Sequence, residues 1–106
     1  MTLTRLDPVF HALADPTRRW IVEQLLVADA SVIQLAEPHP ISLPAFMRHV
    51  AVLEQCGLVR TSKLGRVRDC AIEPEPLRAA EHWLRSALWA RFSASLGSLP
   101  ADFNRW

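Results

Sequence analysis

The cations of this 106-residue chain are unevenly distributed. Residues 43–72 contain five Lys or Arg against two Asp or Glu, a local charge of +3, whereas residues 1–42 carry −2 and residues 73–106 carry 0. Arg and Lys side chains bind phosphate, and Arg can also bond guanine through two parallel donors. A basic segment within a chain whose net charge is only +1 therefore indicates an anionic partner for that segment.

The first of these cations, Arg48, stands in an otherwise apolar stretch, "LPAFMRHVAVLEQ". Spacing of i, i+3, i+4 and i+7 predicts an amphipathic helix whose inward face is formed by Phe46, His49, Val50 and Leu53. On the outward arc, Arg48 can bond guanine or phosphate, and Leu43 and Met47 can contact thymine methyl groups in a major groove. The candidate DNA-binding residues of this helix are Ser42, Leu43, Pro44, Met47, Arg48, His49 and Ala51.

Two other interpretations of this outward arc stay open. It could be a solvated face with Arg48 as an ordinary surface charge, although an apolar exposed arc is not typical of such faces. It could also dock a partner protein through Leu43 and Met47, which makes a protein-interaction module the second hypothesis for the function. His49, at the border of the buried arc, can donate either to a phosphate or to a nearby backbone carbonyl.

A second group of cations, Lys63, Arg66 and Arg68, surrounds Gly65. Alternating, β-branched residues over 58–62 and 67–72 predict a two-stranded hairpin, with "KLGR" between the strands and Gly65 at a position of positive φ. Cations on a projecting hairpin can hold DNA phosphates without reading the base sequence. The alternative is a charged turn that keeps an edge hairpin from aggregating.

Proline and capping residues divide the rest of the chain into helices that must position these cations. Two Asp-Pro pairs, at 7–8 and 15–16, predict helices over about 8–14 and 16–27. We expect the second of these helices to face inward at Trp20, Ile21, Leu25 and Leu26.

Further along the chain, Ser31 can cap a third helix over 32–37, which "PHP" ends, and Ser42 can cap the fourth, which Gly57 ends. Apolar positions from Leu77 to about Leu96 predict a long amphipathic last helix. Four helices, a hairpin and a last helix form the order of a winged helix-turn-helix, a mainly α fold with a small β-hairpin. We expect one domain over 1–98 and an irregular tail over 99–106.

Three blocks in this order and spacing resemble the ArsR/SmtB family of bacterial transcriptional regulators: "LADPTRRWIVEQLL" (13–26), "LPAFMRHVAVLEQCGLVR" (43–60) and "KLGRVRDCAIEPEPL" (63–77). The likeness covers roughly residues 6–90 and is closest to members without metal motifs. It implies a homodimeric repressor on a partly palindromic operator in double-stranded DNA, with an interface built from the first and last helices. Leu43, Met47 and Cys70 depart from the residues that are common in the family.

The last helix carries more aromatic surface than one small core can absorb, which is typical of an interface. With the first helix it supplies the candidate dimer residues, which are Leu6, Phe10, Trp83, Ala87, Leu88 and Phe92.

Two cations, Arg18 and Arg19, follow Thr17 at the start of the second helix, where they oppose the helix dipole and so do not stabilise that helix. The resemblance places this turn near the DNA backbone, and the alternative is an ordinary surface pair. The candidate backbone-binding residues are Thr17, Arg18, Lys63, Gly65, Arg66 and Arg68.

Several other functions find no support in the sequence. The sequence contains no Gly-rich phosphate loop and no nucleophile with a local base motif, so no motif in it indicates an enzyme. Glu81 and His82 are adjacent on a helix and do not converge on one ion, so we expect no metal and no other cofactor. Cys56 and Cys70 are expected to be ordinary thiols, with redox sensing as the alternative.

The sequence also bears on location and on further partners. It has no signal-peptide pattern, and no apolar run approaches the roughly 20 residues of a membrane span, so we expect a cytoplasmic protein without a membrane partner. A small-molecule effector between subunits is compatible with the resemblance, but no residue identifies a ligand.

Overall fold

The computed structural model of the chain describes residues 2–96, with side chains from residue 6 to residue 95. Its elements are α1 (Thr2–Leu13), α2 (Pro16–Val27), β1 (Ala30–Ser31), α3 (Val32–Ala36), α4 (Leu43–Gln55), β2 (Val59–Leu64), β3 (Val67–Ile72), α5 (Glu75–Trp83), a π-helical segment (Leu84–Trp89) and α6 (Ala90–Leu96). This order confirms the predicted winged helix-turn-helix, with α4 in the position of the recognition helix and β2–β3 as the wing. The predicted irregular tail over 99–106 lies outside the described residues.

The first helix differs from the prediction, because it begins at Thr2 and runs through Pro8. Leu6, Val9 and Ala12, spaced by three residues, are all buried, so the apolar face that fixes the helix starts before Pro8. Pro8 is exposed and lacks the N–H for one helical hydrogen bond, a cost that burial of Leu6 helps to offset. The prediction that the first Asp-Pro pair starts this helix is therefore wrong.

The second helix begins as predicted, since the Asp15 carboxylate accepts a hydrogen bond from the Arg18 N–H at 3.0 Å and Pro16 is the first helical residue. Its buried residues are Ile21, Val22 and Leu25. Leu26 is 57% exposed, so the expectation that it faces inward is wrong. Each step along a helix turns by about 100°, which carries Leu26 out of the sector that holds the buried residues.

Two short elements connect α2 to α4. β1 was not predicted, because two residues give no periodic pattern, and it pairs antiparallel with β3 through Ala30 opposite Cys70. Ser31 then caps α3 in a capping box with Gln34. In the loop that follows, the His39 ring packs edge-on against half-buried Trp20, with ring centroids 4.5 Å apart, which ties the loop before α4 to α2.

The fourth helix has the ends and the apolar face that the sequence predicts. The Ser42 hydroxyl accepts a hydrogen bond from the Ala45 N–H at 3.2 Å, and Gly57 adopts φ of 81° beyond the last turn. The N–H groups of Gly57 and Leu58 bond the carbonyls of Glu54 and Leu53, each at 3.0 Å, which closes the helix with a Schellman motif. The buried residues are Phe46, Val50 and Leu53.

The wing is the outer part of a three-stranded antiparallel sheet with the order β1-β3-β2. Leu64 pairs with Val67, so only Gly65 and Arg66 form the turn, and Lys63 and Leu64 belong to β2 rather than to the loop. Gly65 has φ of 64° and Arg66 does not have a positive φ, which fits a type II′ hairpin turn.

The last helix starts at Glu75 and is interrupted by π-helical turns that the sequence did not predict. In a π-helical turn each hydrogen bond spans one more residue, so the side chains that follow are rotated around the axis. Ala80 is buried, whereas no residue from 84 to 95 is. The half of this helix beyond Trp83 therefore adds no buried residue to the core of the subunit.

Candidate nucleic-acid interface

The face of α4 that points away from the core carries the predicted mixture of apolar and basic side chains. Leu43 is 44% exposed and Met47 is 41% exposed, and Arg48 is exposed beside them. Ala51, one turn after Met47, is half-buried. Within the described residues the Arg48 side chain has no hydrogen bond or ion pair, so its five donors can reach an external acceptor.

His49 makes contacts that the sequence did not predict. Its Nδ1 lies 3.2 Å from Arg18 Nη1 and 3.6 Å from Asp15 Oδ2, and its ring is half-buried. The side chain thus connects α4 to the N-terminal turn of α2 and does not bond a backbone carbonyl. A contact of His49 with phosphate remains a prediction.

The acidic member of this junction, Asp15, is held in its charged form. Burial raises its pKa, but the hydrogen bond from the Arg18 N–H and the charges of His49 and Arg18 lower it, and the net pKa lies below the ordinary 3.8. The carboxylate therefore remains ionised in mildly acidic solution and continues to cap α2.

The cations at the start of α2 bond the end of the preceding helix. Arg18 Nε donates to the Ala12 carbonyl at 2.8 Å and Arg18 Nη2 to the His11 carbonyl at 3.2 Å, while Arg19 Nη1 donates to the Leu13 carbonyl at 2.8 Å. Cations are favourable at a helix C-terminus, where the last carbonyls lack partners. The sequence correctly indicated that these residues do not stabilise α2, but it missed that they stabilise α1. A DNA contact by Thr17 or Arg18 remains a prediction.

The wing cations fall into two groups. Lys63 and Arg66 are exposed, and neither side chain has a hydrogen bond or ion pair within residues 6–95. Arg68 is half-buried, and its Nη1 donates to Thr61 Oγ1 at 3.2 Å. Arg60, at the base of the wing, forms an ion pair with Glu73.

Among the side chains of residues 6–95, three cations of the basic segment therefore have no partner, which are Arg48, Lys63 and Arg66. Their placement divides them between the exposed face of α4 and the projecting wing. A duplex offers base edges to the helix and phosphates to the hairpin, so this arrangement matches double-stranded DNA in both charge and shape.

A second exposed surface lies on the last helix. Leu84, Leu88 and Phe92 are between 42% and 49% exposed, and Ala87 is also exposed. Phe10 of α1 is exposed as well, and its ring packs edge-on against Trp83 with centroids 5.9 Å apart. Leu6 is only 3% exposed because it packs in the subunit core, so the prediction that it lies at a dimer interface is wrong.

The two thiols differ in their surroundings. Cys70 is buried in the sheet, and burial together with the nearby Asp69 and Glu54 carboxylates raises the pKa of its thiol to about 11. Such a thiol holds its proton and reacts slowly with oxidants. Cys56 is half-buried, and its Sγ donates to the Leu53 carbonyl at 3.3 Å.

Two further properties concern the described residues as a set. No group of three or more His, Cys, Asp or Glu side chains in residues 6–95 could hold a metal ion. Over residues 2–96, none of the helices combines the length and the hydropathy that crossing a membrane requires.

Two residues near the interface were missed by reasoning from the sequence, namely Glu54 and Thr61. The Thr61 hydroxyl donates to Glu54 Oε2 at 2.7 Å and accepts the bond from Arg68, which links the wing to α4. The helical spacing of Met47, Ala51 and Glu54 was a usable signal, since it places Glu54 on the same stripe as the candidate DNA-binding residues.

Comparison with known proteins gives relatives for both the sequence and the fold, although no protein-family model matches the chain. The chain is 40% identical over 73 residues to the HTH-type transcriptional regulator Rv2034 of Mycobacterium tuberculosis, covering 69% of this chain and 68% of that protein. It is 28% identical over 79 residues to the transcriptional repressor SdpR of Bacillus subtilis, covering 74% and 88%. The crystal structure of the ArsR family transcriptional regulator RHA00566 matches with a TM-score of 0.77 and 48% identity, covering 82% of this chain and 92% of that one.

Proposed function

The chain belongs to the ArsR family of transcriptional regulators, and we propose that it acts as a homodimeric repressor that binds a partly palindromic DNA operator. The observation that carries the proposal is a set of exposed cations with no partner in the described part of the chain, Arg48 on α4 and Lys63 and Arg66 on the wing. The likeness to SdpR, which is a repressor, favours repression over activation.

In this proposal α4 of each subunit enters the DNA major groove, with the two helices one helical turn apart, about 34 Å. Arg48 bonds a guanine edge or a phosphate, and Leu43 and Met47 contact thymine methyl groups. Lys63 and Arg66 hold phosphates beside the groove, where they contribute affinity without sequence preference.

The homodimer is proposed from the apolar stripe of the last helix. Leu84, Leu88 and Phe92 would otherwise leave a row of apolar side chains in water, next to the exposed Phe10. A two-fold axis beside this stripe would bury each copy of it against the other. The same axis would relate the two α4 helices, and an operator with matching symmetry follows from that geometry.

The proposed role in transcription also bears on catalytic activity, domain organisation and cellular location. We propose no catalytic activity, one DNA-binding domain over 1–98, and action in the cytoplasm, where bacterial DNA lies. An effector that controls binding would be a small molecule between the subunits, and no residue of this chain identifies it.

The test is a selection of bound duplexes from random sequence, carried out at a low and at a moderate salt concentration. We expect an enriched palindrome and an affinity that falls steeply with salt, because each phosphate held by a cation releases counterions. No enrichment, combined with binding that salt does not weaken, would overturn the proposal.

One observation favours a second candidate, a protein-interaction module that docks a partner through the Leu43 and Met47 face. Both side chains are more than 40% exposed on the same helix. Apolar docking of this kind would not weaken between low and moderate salt, so the same salt series distinguishes the two candidates.

A further inference from the structure

The wing cation Arg68 differs from its neighbours in what it contacts. Its Nη1 donates to Thr61 Oγ1 at 3.2 Å, and the Thr61 hydroxyl donates to Glu54 Oε2 at 2.7 Å. The two bonds form a chain from β3 through β2 to α4. Lys63 and Arg66, on the same hairpin, have no such bonds within the described residues.

The strand register explains why these groups meet. Thr61 lies opposite Cys70 and Lys63 lies opposite Arg68, so Thr61 and Arg68 are diagonal neighbours on the sheet face that also holds buried Cys70. That face is turned toward α4. Glu54 follows Met47 and Ala51 on one helical stripe, and all of them line a shallow hollow between α4 and the wing.

A carboxylate on this stripe has a consequence for binding. Glu54 is exposed, and without a bond to hold it the carboxylate would be free to approach DNA phosphates, which it would repel. The Thr61 hydroxyl directs it toward the wing, and Arg68 donates to that same hydroxyl.

We infer that Arg68 is a positioning residue that acts through Thr61 on Glu54 and so fixes the wing against the C-terminal turns of α4. The inference rests on the proposed function, because the bonds from Arg68 through Thr61 to Glu54 matter for binding only if the wing and α4 contact the same DNA. They fix the position of the wing-tip cations relative to Arg48. Phosphate contact by the wing is then assigned to Lys63 and Arg66.

Thr61→Val tests this inference because it removes the hydroxyl and leaves the charge of Arg68 in place. Binding is measured by fluorescence anisotropy on the duplex enriched in the selection. We expect Thr61→Val and Arg68→Ala each to weaken binding roughly three- to tenfold, and the double variant to weaken it no further than either single change. Thr61→Ser keeps the hydroxyl and should bind like the parent.

The contrary results are equally defined. Parent-like binding by Thr61→Val, or losses that multiply in the double variant, would show that Arg68 does not act through Thr61 and would overturn the inference. A parent protein that binds no duplex would instead overturn the proposed function, so the two failures are distinguishable.

If Thr61→Val lowers the midpoint of thermal unfolding, a second pair of variants tests the inference without that substitution. In a Glu54→Ala background, Arg68→Ala should leave affinity unchanged, because the group on which it acts is absent. If Arg68→Ala weakens binding as much in that background as in the parent, the inference is wrong. Arg66→Ala is the matched control and should weaken binding equally in both backgrounds.

Discussion

The surface formed by α4 and the wing differs from the surface of the last helix in the kind of side chains that it exposes. On α4 the inner face is filled by buried side chains and both ends are capped, and the exposed face combines Arg48 with the apolar Leu43 and Met47, beside the cations of the wing. From residue 84 to residue 95 the last helix buries nothing and exposes an apolar stripe. A nucleic acid would supply negative charge to the first surface, and a second copy of the chain would supply an apolar cover to the second. The two surfaces therefore indicate two different kinds of partner.

The largest expected effect is a loss of folding stability from a substitution on the buried face of α4. Phe46→Ala should lower the free energy of unfolding by about 3–5 kcal/mol, because Phe46 is fully buried and its loss leaves a cavity. Urea unfolding followed by circular dichroism, at one fixed protein concentration, measures this change. Met47→Ala, at the next position, is the control and should cost less than about 1 kcal/mol. Equal losses for both would show that the outward face of α4 is also packed.

On the last helix, a charge should affect assembly and leave the subunit folded. Leu88→Glu should raise the dimer dissociation constant roughly 100-fold, about 2.8 kcal/mol, because the two-fold axis brings two carboxylates into an apolar interface. Analytical ultracentrifugation over a concentration series measures it. Leu26→Glu alters another exposed Leu and should leave the dimer intact. An unchanged dimer in Leu88→Glu would exclude this stripe as the interface.

Replacing the exposed cation of α4 should have an intermediate effect that is confined to DNA binding. Arg48→Ala should weaken binding to the selected operator by about 1–3 kcal/mol and relax its preference at one base position. Anisotropy titrations with the operator and with single-base variants measure both properties. Arg66→Ala should instead weaken binding to all sequences alike and reduce the slope of log affinity against log salt by about 0.9. Sequence-independent losses for both would mean that Arg48 only positions the helix.

The parts of the molecule that could be predicted from the sequence are those that local signals determine. Ser42 and Gly57 mark the ends of α4, the 3.6-residue period gives its buried face, and Gly65 marks the turn of the wing. Each of these depends on a few consecutive residues, so no knowledge of distant contacts is needed.

The features that were missed depend on residues far apart in the chain. The start of α1 at Thr2 depends on the packing of Leu6 in the core. The strand β1 exists because Ala30 pairs with Cys70 on another strand. The contacts of Arg18 with the end of α1 and of Thr61 with Glu54 depend equally on packing between elements. The sequence identified the cations but could not separate those that bond another described residue from those that do not.

The smallest expected effect is at the junction where Asp15, Arg18 and His49 join α2 to α4. Asp15→Ala should lower the free energy of unfolding by about 1 kcal/mol near pH 7, through loss of the helix cap. Because the pKa of Asp15 in the folded protein lies below 3.8, its contribution is present above pH 3.8 and is lost as the pH falls through the lowered folded value. Urea unfolding at a series of pH values should therefore show a difference between the parent and Asp15→Ala that narrows as the pH falls. Asp15→Asn keeps a capping oxygen without the charge, so its loss relative to the parent should be smaller than that of Asp15→Ala and should also shrink as the pH falls. If the difference in unfolding free energy between the parent and Asp15→Ala stays constant into acid, the cap does not require an ionised carboxylate. The junction would then join α2 to α4 without a contribution from charge, as the buried apolar face of α4 does.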